Sequence, residues 1–246
     1  MKKKLTASLL CLSLLLIMLL GSTLAWFTDE SGTVNTMTVG NVHIKQYQMD
    51  RGGADVNPNG RPLFPVTNET KSNETTFAGD FNLLNPAYNT LDNIVTIENT
   101  GVLSAYVRTV FAFEMLKTTV EVNGEETTQW VNPIGTKVHL NVNGELTFPR
   151  VEFEHNGVRY VVGVYTYTNA LLAGQTTNPS LLQYYLDRTV GNEFYDQVGA
   201  QYDILVLSQA VQTQGFESAA IAFDAAFPLN ATTAAEWFGT YAPTNP

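Results

Sequence analysis

The chain has 246 residues, with 13 Lys and Arg against 23 Asp and Glu, three His and one Cys. A formal charge of −10 argues against a nucleic-acid partner, because displacing counterions from phosphates needs a net basic face, and an anionic membrane surface repels the protein for the same reason. The hydrophobic fraction of 44% is too high for a disordered chain; with 15% charged residues and abundant Thr, Asn, Val and Tyr, it suits a secreted β-rich protein.

Residues Met1–Lys4 form a basic start, Leu5–Leu20 an apolar run, and Gly21–Ala25 a stretch of small residues. This three-part plan is that of a secretory signal, with Thr23 and Ala25 in the −3 and −1 subsites and cleavage before Trp26. The alternative, an uncleaved membrane anchor, needs about 20 apolar residues, whereas this run is shorter and carries Thr6, Ser8 and Ser13. Contact with a membrane is therefore expected only through the uncleaved signal. Removal of residues 1–25 takes away three lysines and no acid, leaving 10 basic against 23 acidic residues and a charge of −13. It also removes Cys11, so the exported chain has no thiol for a disulfide, a thiolate metal site or a nucleophile. Export without disulfides points to a Gram-positive-type bacterium, where the sequons at Asn68, Asn73 and Asn230 are chance matches.

After the signal, residues 26–49 form an N-terminal leader in which Val42, Ile44 and Gln46 alternate with His43, Lys45 and Tyr47, predicting a strand over Val39–Met49. Residues Asp50–Asn82 are polar and dense in Gly and Pro, which breaks both regular structures; this is a loop insertion within 50–92. Strands resume over Asn93–Glu98, with a turn at Asn99-Thr100-Gly101. The run Ala105–Met115 is apolar on both alternating faces and so predicts a central strand. Asn-Gly pairs at 123, 143 and 156 supply the two positive-φ positions of type I′ turns. They predict hairpins, the best being Val138–Val142 with Glu145–Phe148 and Val151–His155 with Val158–Thr168. Asn178-Pro179 ahead of SLLQYYLD reads as a helix start, and Asp203–Ser208 as a compact strand. Phe216, Ala219, Ala220, Phe223 and Phe227 recur at helical spacing, and Thr233 with Glu236 resembles a capping box. The expected fold is all-β: a single jelly-roll or Greek-key β-sandwich over 50–246 with a few short helices inserted in its second half.

Chemistry-bearing motifs are sparse. His43, His139 and His155 lie on predicted strands with no zinc-site spacing, and no nucleophile elbow, P-loop or dinucleotide motif occurs. Glu152 and Glu154 point the same way from one strand and cannot flank a sugar. Asp55, Asn57 and Asn59 open a D-x-N-x-N-G calcium loop, but Val66 stands where its bidentate Glu belongs, so a backbone-bonded turn is the competing account. Neither a catalytic residue nor an obligatory cofactor is expected, with calcium the one candidate ion.

The segment Gly21–Asp29 (GSTLAWFTD) followed by Asn35–Val42 (NTMTVGNV) resembles the N-terminus of the TasA/camelysin family. The segments Glu98–Gly101, Ala105–Arg108, Asn178–Asp187 and Asp203–Phe227 are similar to its clostridial branch. The resemblance implies a secreted subunit of biofilm-matrix or cell-surface fibres, released by a dedicated type-I signal peptidase. In such fibres the freed N-terminal segment of one subunit enters the sheet of the next, so the first partner is another copy, with matrix or surface proteins as further partners. Phe27, Val34, Met37, Val39, Val42 and Ile44 give this chain a β-capable apolar leader, and the part before Gly40 is the better donor. The competing expectations are that the leader is the first strand of its own sandwich, that the protein is a monomeric adhesin binding through Asp50–Asn82, or that it is a camelysin-like metallopeptidase.

Overall fold

The computed structural model describes residues 35–50, 52–54, 90–122, 124–137, 144–187, 190, 196–197, 202 and 204–239. Among these residues twelve strands and two helices follow in order: β1 (Asn35–Val39), β2 (Ile44–Met49), β3 (Thr90–Asn99), β4 (Ala105–Glu114), β5 (Leu116–Val122), β6 (Glu125–Val131), β7 (Ile134–Lys137), β8 (Gly144–Thr147), β9 (Glu152–His155), β10 (Val158–Tyr167), β11 (Leu181–Leu186), β12 (Ile204–Gln212), α1 (Ala219–Ala226) and α2 (Ala231–Gly239). One sheet runs β1-β12-β4-β10, and the outer edge of β10 is shared by β8 and β9. The other runs β2-β3-β11-β7, and β5 with β6 forms a separate hairpin. The fold is an all-β sandwich with two short helices.

Alternation along β4 and β12 builds two cores, one on each face of the larger sheet. Val107, Phe111, Phe113, Val206 and Ala210 meet Val95, Ile97, Leu181 and Leu186 of the smaller sheet. On the opposite face Val110, Ala112, Leu205 and Leu207 lie with Phe223, Phe227, Trp237 and Phe238 from the helical region. The expected central strand is therefore β4, flanked antiparallel by β12 and β10 and buried on both faces.

Two of the Asn-Gly pairs turn hairpins. His155 pairs with Val158 around Asn156 (φ 52°) and Gly157 (φ 80°), and Val122 pairs with Glu125 with Gly124 at φ 85°. At the third pair, residues 138–143 lie outside the described residues, and β8 pairs with β10. The leader is two strands rather than one. Gly40 (φ 89°) breaks Val39–Met49, sending β1 into the larger sheet and β2 into the smaller. Strand β3 starts at Thr90, ahead of the expected Asn93, and residues 55–89 of the expected insertion lie outside the described residues.

The helix expected after Asn178-Pro179 is instead strand β11. All six of its residues are buried between β3 and β7, and a short run that is apolar at nearly every position carries no period that tells helix from strand. The capping box also shifts. Asn230 is the cap, its Oδ1 accepting from the Thr232 and Thr233 amides, while the Asn230 amide donates to Thr233 Oγ1. Helix α1 is capped by Ser218, whose side chain accepts from the Ile221 amide.

Candidate functional site

The feature that fits the leader reading is the seat of β1. This strand occupies the edge of the larger sheet and pairs parallel with β12, Asn35 opposite Leu207 through Val39 opposite Val211. Ordering a residue costs about 1–2 kcal/mol, while a backbone hydrogen bond contributes about 1 kcal/mol net. The ladder alone therefore does not hold a five-residue edge strand; side chains must supply the rest. Met37 and Val39 pack against the helix-side core, and Gln209 Nε2 lies 3.7 Å from Met37 Sδ. The other face of β1 carries Thr36 and Thr38, so the strand is apolar on one side only.

Nearby the space between the sheets is polar. Ser208 Oγ donates to Gln46 Oε1 at 2.5 Å, and Asn93 Nδ2 donates to Gln48 Oε1 at 3.3 Å. Gln46 Nε2 and Asn93 Oδ1 are buried without a hydrogen-bond partner among the described residues. Gln46 (β2) and Ser208 (β12) thus join the two sheets by a hydrogen bond on the side where β1 and β2 form their edges.

Beneath the seat a buried arginine ties β1 to the helical layer. Arg108 Nε donates to Gln209 Oε1 (2.7 Å) and its Nη2 to the Phe227 carbonyl (2.8 Å), with the guanidinium 4.5 Å from the Phe223 ring and 5.6 Å from Trp237. Burial pushes Arg108 down to about 10, and the Asp224 carboxylate opposes that shift. Gln209, held by Arg108 at its Oε1, presents its Nε2 to Met37.

The hinge out of β1 is short. Residues 40–43 connect Val39 to Ile44, and a Cβ on Gly40 would meet Gln212 Oε1 at 2.6 Å. The far end of the hinge is fixed, because the His43 carbonyl accepts from the amides of Thr100 and Gly101. The loop 100–104 is in turn organised by Asn99. That buried side chain donates to the carbonyls of Leu103 (2.8 Å) and Leu171 (3.0 Å) and accepts from the Gly101 amide (3.0 Å). Two loops so joined present Val102, Leu103 and Leu172 outward, at 82%, 39% and 51% exposure. Sequence reading found the Asn99-Thr100-Gly101 turn but not this apolar tip, because the loops are some 70 residues apart in the chain (Asn99 to Leu171 spans 72).

The expected site residues are divided by the fold. Met37 and Val39 serve the seat, whereas Val42 and Ile44 belong to the core between the sheets. Thr23, Ala25, Trp26, Phe27, Val34, Asp55, Asn57, Asn59 and His139 lie outside the described residues. His43 is exposed, and His155 Nε2 faces Asn156 Nδ2 at 2.9 Å. Glu152 is taken up by Arg159, whose Nε and Nη2 donate to its Oε2 at 2.9 and 2.5 Å. Among the described residues no three of His, Cys, Asp and Glu converge. What the arrangement offers is backbone strand pairing of β1 with β12. Comparison of the chain with models of known families, with curated proteins and with solved structures gives no match.

Proposed function

We propose that this protein is a secreted structural subunit that assembles into extracellular fibres, in a biofilm matrix or on the cell surface, by giving its first strand to a neighbouring copy once the signal is removed. The observation that carries the reading is the edge seat. Among the described residues β1 pairs with one neighbour, is joined to β2 through four residues, and lies on β12, a strand buried on both faces. In a monomer β1 fills its own seat. In an assembly the same residues enter the seat of another copy, adding a strand to its sheet. The leader resemblance at Gly21–Asp29 and Asn35–Val42 supports the same reading. The role needs no catalytic step and no cofactor.

The test is light scattering and electron microscopy of protein that starts at Trp26, compared with protein lacking residues 26–39. Filaments formed by the first and lost from the second are expected. A monodisperse monomer in both, under every condition of salt and pH at which the protein stays folded, refutes strand donation.

A further inference from the structure

We infer that the apolar tip formed by Val102, Leu103 and Leu172 is a contact surface for a second copy of this chain, brought into register by exchange of β1. The inference rests on the strand-donation reading and adds where the two copies touch. Its basis is that both ends of the hinge abut the same loop. At the donor end, His43 is bonded through its carbonyl to the Thr100 and Gly101 amides, directly before Val102. At the acceptor end, the seat finishes with Val39 opposite Val211 and Gly40 against Gln212, and the next residue, Thr213, donates its amide to the Ser104 carbonyl.

When β1 moves to another copy, the donor end of the hinge stays beside the donor's 100–104 loop. The acceptor end lies beside the acceptor's 100–104 loop. Five residue steps separate Val39 from Ile44, so even fully extended the hinge spans about 17 Å. The two loops must then sit within that reach, and each carries Val102 and Leu103 outward with Leu172 tied alongside through Asn99. Three aliphatic side chains exposed in a monomer are in this way placed to be covered by the same three from its neighbour. Reciprocal exchange gives a closed dimer with tip against tip, and one-way exchange gives a filament whose tips line the joints.

The mature chain has no cysteine, so single thiols report proximity cleanly. Val102→Cys and, at the opposite end of the sandwich, Glu154→Cys are treated with a short bismaleimide under assembling conditions. Covalent dimers from Val102→Cys and none from Glu154→Cys are expected. In parallel, Val102→Asp combined with Leu172→Asp is expected to slow assembly more than about tenfold with an unchanged melting temperature, because both side chains lose apolar contact only in the assembly. Assemblies that form normally but cross-link through Glu154→Cys, or not at all through Val102→Cys, overturn the contact while leaving strand donation standing. Tip-dependent binding to phosphatidylcholine vesicles without copy-to-copy linkage overturns it in favour of a lipid occupant. A chain that never leaves the monomer overturns both ideas, whereas a cross-linked closed dimer without filaments supports the contact and refutes the fibre.

Discussion

Replacing Gly40 by Ala isolates the hinge. At φ 89° an L-residue is strained, and forcing one into left-handed backbone costs about 1–2 kcal/mol. The new methyl also meets the Gln212 side-chain amide at 2.6–2.9 Å, but that group is the end of a flexible chain and can swing away, so the backbone cost dominates. In the proposed exchanged form the hinge would be extended and Ala unstrained. The substitution therefore destabilises only the closed monomer, and about 1–2 kcal/mol raises the population with β1 released by a factor of about 5–30. Amides of β1 are expected to exchange with solvent faster by that factor, and the concentration needed for assembly to fall by a similar one. Gly157→Ala is the control. Its φ of 80° imposes comparable strain, nothing lies within 4 Å of its Cβ, and it sits in the β9–β10 hairpin away from the seat. If Gly40→Ala leaves β1 exchange and assembly unchanged, or if Gly157→Ala promotes assembly equally, the hinge is not the controlling element.

Two other outcomes follow from charge and packing. A chain starting at Trp26 carries a formal charge of −13, so copies repel one another at low ionic strength; assembly followed by light scattering is expected to accelerate on raising salt to about 0.15 M, where the screening length is about 8 Å, and again as pH falls toward the acidic pI. Assembly that weakens with salt would place attractive ion pairs, rather than strand and tip contacts, in control. Phe223 is fully buried beneath Arg108 and beside Phe227, and Phe223→Ala is expected to cost about 3–5 kcal/mol in denaturant unfolding. A loss below about 1 kcal/mol would mean that the helix-side core is not a packed core.

The parts of the fold legible in the sequence were those governed by local rules. Asn156-Gly157 announces a tight hairpin because so few residues accept two successive positive φ angles, and Ala105–Glu114 announces a central strand because both faces are apolar. Residues Leu181–Leu186 defeated the same reading. A run buried on every side looks alike in either secondary structure, and Pro179, in a position suited to a helix start, precedes a strand instead. The division of the leader was half visible. Gly40 was in view, but that Met37 and Val39 belong to one core and Val42 and Ile44 to the other depends on which sheet each strand joins. Arg108 lies inside the Ala105–Met115 run, and its aromatic surroundings come from residues more than 100 positions later, which no local pattern reveals. The apolar tip was hidden for the same reason, since only the long-range bonds of Asn99 bring its loops together.

The remaining edges of the two sheets bear on the dimensionality of growth. On the side of the larger sheet away from β1, the edge of β10 is covered by two four-residue strands, β8 and β9, and between them Arg150 has φ 59°. The corresponding edge of the smaller sheet is β7, again four residues, entered from Pro133. Over the described residues, edges of this kind give a passing strand little continuous ladder to join, which in a fibre of the proposed kind would disfavour lateral stacking into plaques. In a fibre built by the proposed strand donation, addition would be channelled to the β1 side, and repeated addition through one site on each copy would yield a thread of fixed thickness, which lengthens without broadening.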